Sequence, residues 1–237
     1  LENALTRARY SKWIGGKIPI FEKNPIVSLI GFSHPLLIWE SKKNGTSFPV
    51  AIDFHINRNI KVVAITGPNT GGKTVALKGL GLALLMARAG LFIPSIKKPT
   101  IPFCPNIFVD IGDNQSLEEN LSTFSGHIYR IKKILESLNQ KNGLSVVLLD
   151  EIGSGTDPLE GTALAIALLK EFVDKSDITL VTTHYGDIKA LKYGDSRFEN
   201  VSVAFDEESF KPKYILNWGI PGRSNALSIS KRIGLDE

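Results

Sequence analysis

Sulfur-containing residues are almost absent from this sequence, and so are long apolar runs. Its 237 residues include one cysteine, Cys104, and one methionine. A single cysteine cannot form an internal disulfide, and a chain of this length needs none, because it can bury roughly 70 to 75% of its unfolded surface. The longest apolar stretch, 75–87, is interrupted by Lys78 and is shorter than the ~18 to 20 residues of a membrane span. The N-terminus carries no secretory signal pattern either, so we expect a cytoplasmic protein without a membrane partner.

The charge balance is slightly basic. Lysine and arginine number 28 against 24 aspartates and glutamates, which gives a formal net charge of +4. This charge is compatible with a polyanionic partner but does not require one, because ordinary proteins span such values. With 43% apolar and 22% charged residues, the composition is typical of one globular domain with at most a short appendage.

The first third of the chain predicts a helix followed by an antiparallel sheet. Apolar residues recur at helical spacing over 1–15, where Gly15 begins a glycine pair. Strands are expected at 26–30 and 50–56, the second because apolar and polar residues alternate. Between these strands, Asn44 and Gly45 favour a tight hairpin turn.

From Lys61 onward, apolar runs alternate with helical patterns, which predicts a parallel α/β sheet covered on both faces. The predicted strands are 62–65, 107–109, 146–149 and 178–181, and the predicted helices are 73–89, 126–139 and 158–174. Ser116 and Glu119 have the spacing of a capping box. The tail predicts strands through 201–205 and 214–218, and then a final helix capped by Ser224.

The strongest motif lies between the strand at 62–65 and the helix at 73–89. It has the spacing G-x-x-x-x-G-K-[ST] and consists of Gly67, Pro68, Asn69, Thr70, Gly71, Gly72, Lys73 and Thr74. Glycines let such a loop wrap around a phosphate with its amides pointing inward, and the helix N-terminus adds partial positive charge. Lys73 is then expected to reach the β- and γ-phosphates, and the Thr74 hydroxyl to bind Mg²⁺.

Two carboxylates follow the predicted strand 146–149. Asp150 suits a direct or indirect role at Mg²⁺, and Glu151 is placed to polarise the attacking water. The plainer interpretation, that the pair merely ends a strand in solvent, is weakened by the phosphate loop. Both residues are therefore candidates for a site that hydrolyses a nucleoside triphosphate.

A second anion-binding segment precedes the helix at 126–139 and contains Ser122, Thr123, Ser125 and Gly126. One chain rarely uses two helix N-termini on one phosphate. We therefore expect this segment to close on the nucleotide of a partner subunit, in a head-to-tail pair with two composite sites. An ordinary Ser/Thr helix cap is the alternative. The glycine-rich segment 153–157 either lines the subunit contact or is a plain loop whose Asp157 caps the next helix.

His184 follows the strand 178–181, at the sheet edge that carries the other candidates. A neutral imidazole there could hydrogen-bond a γ-phosphate or the attacking water, although a structural role is the alternative. Residues 150–153 also match D-x-x-G, a GTPase pattern. The nearest candidate for guanine recognition, 174–177, precedes the strand 178–181 and so lies at the wrong edge. Adenine is therefore favoured.

These motifs resemble the ATPase domain of the MutS family, and its MutS2 branch in particular. The likeness rests on 67–74 and on the stretches 77–94, 110–116, 121–127, 150–158, 182–185 and 221–226, which extend over most of residues 25–237. It implies an α/β P-loop NTPase fold of the ABC/MutS type: a mixed sheet with helices on both faces and an antiparallel N-terminal part. Residues 1–24 would be a helical segment from a preceding core or lever region, and 25–237 the ABC-type ATPase domain.

The resemblance also implies a homodimer around two ATP molecules. Residues 122–126 would be the signature loop given to the partner, 153–157 the D-loop, and His184 the switch histidine. Adenine contacts would come from 48–52. At 33–35 the chain departs from the family's Arg-His-Pro step, because Ser33 replaces the arginine.

MutS2-like proteins are associated with binding branched DNA and restraining homologous recombination, and also with acting on stalled or collided ribosomes. The resemblance therefore implies DNA or ribosomal RNA as a partner, contacted through parts of the full protein outside these residues. The lever, clamp and Smr nuclease regions are not in this stretch, so nuclease activity is not assigned to it. The alternatives are a non-hydrolysing nucleotide-gated dimerisation module, a mismatch-recognising MutS-type ATPase, and an ABC cassette, whose usual Leu-Ser-Gly-Gly-Gln-like signature is missing.

Overall fold

The structure, a computed structural model, describes residues 2–68, 71–112, 123–206 and 211–222. The helices in these ranges are α1 (Glu2–Ile14), α2 (Pro35–Asn44), α3 (Lys73–Arg88), α4 (Thr123–Asn139), α5 (Pro158–Lys175) and the short α6 (Leu191–Gly194), with a 3-10 turn at Asp187–Ala190. The strands are β1 (Gly16–Lys17), β2 (Ile20–Glu22), β3 (Val27–Phe32), β4 (Ile52–Ile56), β5 (Val62–Thr66), β6 (Ile93–Pro94), β7 (Thr100–Pro102), β8 (Asn106–Asp110), β9 (Ser145–Leu149), β10 (Ile178–Thr182), β11 (Phe198–Asp206) and β12 (Lys211–Trp218).

A six-stranded central sheet organises the molecule, in the order β12-β11-β5-β10-β9-β8. The neighbours from β11 to β8 are parallel, and β12 is antiparallel to β11, so the sheet is mixed. Every residue of β5, β9 and β10 is buried, as expected of strands covered on both faces. β10 lies between β5 and β9 although it comes last of the three in the chain, so the ends of these three strands are neighbours in space.

Helices cover both faces of the central sheet, as the sequence predicts. On one face α3 contributes Leu77, Leu80 and Leu84 to a core that it shares with Ile65 of β5 and Phe54 of β4. On the other face the buried side chains come from α4, α5 and the alternate positions of the same strands, among them Ile131, Ile134, Leu169, Phe172, Val62 and Val147. This two-sided burial supplies the main hydrophobic stabilisation of the sheet.

A smaller four-stranded sheet, in the order β2-β7-β3-β4, packs on the α3 side. β3 is antiparallel to both β4 and β7, which agrees with the predicted antiparallel N-terminal part, whereas β2 and β7 are parallel. β1 pairs with β6. Strands within 1–24 therefore pair with strands well beyond it, and the division at residue 24 stays a prediction.

The prediction of a hairpin turn at Asn44 and Gly45 is wrong. These residues end α2 instead, with Gly45 in the left-handed conformation (φ 63°) and its N–H bonded to the carbonyl of Ser41. Pro35, in the first turn of α2, has the backbone angle that a helix start requires. The pair Asn-Gly suits a left-handed residue both in a hairpin turn and just after a helix. Here the residues before it form the helix α2, so the pair ends that helix.

The remaining predicted elements differ from the structure by a few residues at their ends, as with α3, which ends at Arg88. The predicted capping box at Ser116 and Glu119 and the final helix at Ser224 lie outside the described residues. Within the described ranges, none of the helices has the length and apolar character needed to cross a membrane.

Candidate functional site

The predicted phosphate loop leaves β5 and enters α3 through backbone conformations that suit glycine. Gly67 and Gly72 have φ of 134° and 91°, and Gly72 is the N-cap of α3. A Cβ on Gly67 would lie 2.5 Å from Cγ2 of Val203, and one on Gly72 would lie 2.6 Å from Cδ1 of Tyr214. The loop is thus held closely against β11 and β12, and a larger residue at either position would have to displace these side chains and would be strained at its positive φ.

Lys73 opens α3 with its side chain turned back over this loop. It is only 2% exposed, and its Nζ donates a hydrogen bond of 2.7 Å to the carbonyl of Gly67. Burial lowers the pKa of Lys73 below its usual value, while the nearby charges of Glu151 and Asp150 act in the opposite direction. The loop therefore contains a partly dehydrated cation. Asn69 and Thr70 lie outside the described residues.

Three chain segments meet at the carboxylate of Asp150. The hydroxyl of Thr74 donates to Oδ1 of Asp150 at 3.2 Å, so the phosphate loop and the end of β9 are in contact. The hydroxyl of Thr182, at the end of β10, donates to the same oxygen. Thr182 also accepts the backbone N–H of Glu151 at 2.8 Å. Sequence reasoning missed Thr182, because its role depends on β10 lying between β5 and β9.

Glu151 lies where the chain turns sharply after β9. Its φ of 50° is unusual for a residue other than glycine, and its side chain is half-buried. The next amide, that of Ile152, donates to the carbonyl of Thr182 at 3.3 Å. Two hydrogen bonds to one residue of β10 therefore hold this turn in place.

His184 is exposed and comes two residues after the end of β10. Its ring centroid lies 4.4 Å from that of Tyr185, whose hydroxyl donates to the carbonyl of Gly153 at 2.8 Å. The segment 153–157 is packed tightly at its first residue, since a Cβ on Gly153 would lie 2.4 Å from the carbonyl oxygen of Gly161, whereas Gly155 and Asp157 are exposed. Asp157 caps α5 by accepting the N–H groups of the residues two and three positions on.

The predicted second anion-binding segment lies at the start of α4. Ser122 is outside the described residues, and α4 begins at Thr123, with Ser125 exposed in its first turn and Gly126 next to it. The described part of this segment therefore lies within α4, which begins three residues before the predicted helix start at 126, and its role in anion binding stays a prediction.

A buried aspartate ties α4 to the edge of the sheet. Asp110, at the end of β8 and 4% exposed, lies 2.8 Å from Nδ1 of His127 and accepts a 2.5 Å hydrogen bond from Nε of Arg130. Burial alone would raise the pKa of Asp110, but the bonds from His127 and Arg130 lower it below its usual value. The carbonyl of Asp110 also accepts the N–H of Asp150 at 2.9 Å. Sequence reasoning did not identify this cluster, whose members have no motif spacing.

This arrangement of loop, strand ends and helix can be compared with known proteins. Residues 63–237 match the sequence model of MutS domain V. The chain belongs to the MutS family. Proteins called endonuclease MutS2 are 52% identical to it in Synechocystis sp., 46% in Listeria innocua and 43% in Clostridium kluyveri, over 98 to 100% of this chain. These relatives place it in the MutS2 branch as an ATPase domain. The chain spans only 28 to 31% of their length.

Proposed function

We propose that this chain is a Mg²⁺-dependent ATPase with a P-loop fold of the ABC type. The observation that carries the proposal is the hydrogen bond between Thr74, in the glycine-rich loop, and Asp150, 76 residues later at the end of β9. A loop suited to phosphate and a carboxylate suited to a divalent cation are in contact there. Membership of the MutS family supports the same activity.

The triphosphate would lie in the loop of residues 67–74. Amides of the loop and of the first turn of α3 would face the phosphate oxygens, where the helix N-terminus favours negative charge. Lys73 would exchange its hydrogen bond to the Gly67 carbonyl for bonds to the β- and γ-phosphates. Because burial has already removed most water from this lysine, its attraction to a phosphate is screened less than that of a surface lysine.

Mg²⁺ would be held by the hydroxyl of Thr74 and the carboxylate of Asp150. Both offer the oxygen ligands that Mg²⁺ prefers, and their oxygens are 3.2 Å apart. Within the described parts of the chain, no group of three or more His, Cys, Asp or Glu residues could form an all-protein metal site. This fits Mg²⁺, which is usually bound by one or two carboxylates together with substrate phosphates and water.

Glu151 would polarise the water that attacks the γ-phosphate. It directly follows the metal-binding candidate Asp150, and its carboxylate is close enough to Lys73 to influence the pKa of that lysine. His184, at the neighbouring strand end, would hydrogen-bond the γ-phosphate or the same water. Hydrolysis would therefore take place between the ends of β9 and β10.

ATP fits this chain better than GTP. The segment 174–177, which would have to recognise guanine, lies before β10 and not at its carboxyl end. Asp177 is committed there to other partners, because its Oδ2 accepts from Nζ of Lys141 and the N–H of Ser145. For the adenine we propose the stretch 48–52, where Phe48 is 59% and Val50 is 50% exposed.

Two copies would close around two ATP molecules in a head-to-tail homodimer. Residues 122–126 at the start of α4 would approach the γ-phosphate bound by the partner, and the exposed Ser125 is consistent with that role. The segment 153–157 would lie along the contact. Closure driven by ATP would then act on DNA or on a stalled ribosome through other parts of the full protein. The proposal assigns no nuclease activity to this segment, although the relatives are called endonucleases.

The test is to measure phosphate release and ATP-dependent dimerisation on the same purified protein with MgATP. The proposal predicts both, with dimerisation by sedimentation velocity appearing only when nucleotide is present. ATP-dependent dimers without phosphate release would contradict hydrolysis and support a non-hydrolysing, nucleotide-gated dimerisation module. Crosslinking of the full-length protein in cells would distinguish the two candidate partners. Recovery of DNA would point to recombination intermediates, and recovery of ribosomal RNA would point to the ribosome.

A further inference from the structure

The hydroxyl of Thr182 contacts both acidic residues that follow β9, Asp150 and Glu151. Thr182 is the last residue of β10 and is 0% exposed. β10 pairs with β5, which leads into the phosphate loop, and with β9, which leads into Asp150. A side chain at the end of this strand is therefore next to both halves of the candidate site.

The two hydrogen bonds of this hydroxyl have a defined direction. Its oxygen accepts the N–H of Glu151 at 2.8 Å and its hydrogen is donated to Oδ1 of Asp150. A hydroxyl has one hydrogen to donate, and the amide can only donate, so the polarity of the pair is fixed. One buried side chain thus orients the carboxylate of Asp150 and the backbone of Glu151 together.

Glu151 depends on such support because of its backbone conformation. Its φ of 50° lies in the left-handed region, where strain of about 1 to 3 kcal/mol persists only if the surroundings hold it. The hydroxyl oxygen of Thr182 accepts the N–H of Glu151, and its carbonyl oxygen accepts the N–H of Ile152. Without the hydroxyl, the amide of Glu151 would lose its partner and the turn would relax more easily.

The carboxylate of Asp150 is oriented in a similar way. Thr182 and Thr74 both donate to Oδ1, and the Thr74 bond measures 3.2 Å. Both hydroxyls donate to the same oxygen, so together they fix the orientation in which the carboxylate would meet Mg²⁺. Fixing one oxygen of a carboxylate is a common way in which proteins orient metal ligands.

We propose that Thr182 is a positioning residue of the ATPase reaction. Its hydroxyl holds Asp150 in the orientation that Mg²⁺ requires and holds Glu151 in the turn from which its carboxylate acts on water. Thr182 itself touches neither the nucleotide nor the reacting atoms. This inference rests on the proposed ATPase function and adds a residue to it.

The experiment compares Thr182→Val, which removes the hydroxyl at nearly constant shape, with Thr182→Ser, which keeps it. The matched control is Thr179→Val on the same strand. Thr179 is also 0% exposed, and its hydroxyl is bonded to that of Ser176 at 2.7 Å, at the other end of β10. Thr182→Val removes two hydrogen bonds and Thr179→Val removes one, so a purely structural role predicts a loss of activity in both variants without a change in the Mg²⁺ requirement.

Steady-state phosphate release is measured for each variant against ATP and against Mg²⁺. We expect Thr182→Val to lower kcat by about 10- to 100-fold and to raise the half-saturating Mg²⁺ concentration several-fold, in line with the loss of a group that orients a metal ligand. The KM for ATP should change by less than about threefold, because the phosphate loop is intact. Thr182→Ser should restore kcat to within about threefold, and Thr179→Val should behave as wild type.

Two results would overturn the assignment: wild-type kcat and Mg²⁺ dependence in Thr182→Val, or an equal loss in Thr179→Val. Absence of phosphate release from the wild type would instead refute the proposed hydrolysis. Thr182 would then be judged from nucleotide-induced thermal stabilisation at increasing Mg²⁺. A several-fold higher Mg²⁺ requirement in Thr182→Val would support its positioning of Asp150, and an unchanged requirement would refute it.

Discussion

Replacing Lys73 by methionine tests the nucleotide site through heat stability, without depending on turnover. In the protein without nucleotide, two effects of this change oppose each other. Removing a buried, partly dehydrated cation stabilises the fold, whereas the carbonyl of Gly67 loses a donor, which costs about 1 kcal/mol where water can partly replace it. We therefore expect the melting temperature without nucleotide to change by no more than about 2 to 4 °C.

The response to nucleotide should change much more. At a concentration 100 times its Kd, MgATP stabilises the wild type by about 2.7 kcal/mol, or roughly 5 to 10 °C for a chain of this size. Loss of the charged hydrogen bonds from Lys73 to two phosphates, taken near the upper end of the range of about 1.5 to 3 kcal/mol, weakens binding on the order of 100-fold. At the same concentration the variant would gain only about 0.4 kcal/mol, or roughly 1 °C.

The assay is calorimetric or fluorimetric melting with and without MgATP. Lys78→Met is the matched control, because Lys78 is on the same helix but exposed, and this variant should keep the full thermal shift. A shift of 5 °C or more in Lys73→Met under these conditions would refute the assignment of Lys73 to phosphate binding.

Three further changes have defined outcomes. Glu151→Gln should retain ATP binding but lower phosphate release by ~10²-fold or more, whereas Glu160→Gln, on the exposed first turn of α5, should not. Because the pKa of Asp110 is lowered in the fold, its stabilisation is present above the unfolded pKa and is lost as the pH falls below about 4. Asp110→Asn should therefore flatten the loss of stability below about pH 4, which urea unfolding from about pH 5 downward would measure. Asp157→Ala should cost about 1 kcal/mol through loss of the α5 cap, which calorimetry would record as a melting temperature about 2 to 4 °C lower.

Local patterns in the sequence were sufficient to predict much of the fold. The buried strands β5, β9 and β10 are short apolar runs, and α5 begins with Asp157 followed by proline, so each element has its own signal. The turn at Asn44 and Gly45 was assigned wrongly because two structures use the same residue pair. Only the presence of the helix α2 directly before the pair distinguishes a helix end from a hairpin turn.

The candidate site was predictable where it consists of motifs and not where it depends on sheet order. Lys73 and Asp150 each belong to a recognisable stretch, and the structure brings them to one edge. Thr182 could not be assigned, because its neighbours follow from β10 lying between β5 and β9, a long-range property of the fold. Asp110 and Arg130 were missed for a related reason: their contact joins a strand end to a helix 20 residues later.

The most direct test of the account is a structure of the Glu151→Gln variant with MgATP. The account predicts that the γ-phosphate lies within hydrogen-bond distance of Nζ of Lys73, that Mg²⁺ contacts the hydroxyl of Thr74, and that residue 151 faces the γ-phosphate. A nucleotide bound away from the loop of residues 67–74, or a metal ion remote from Thr74 and Asp150, would contradict it.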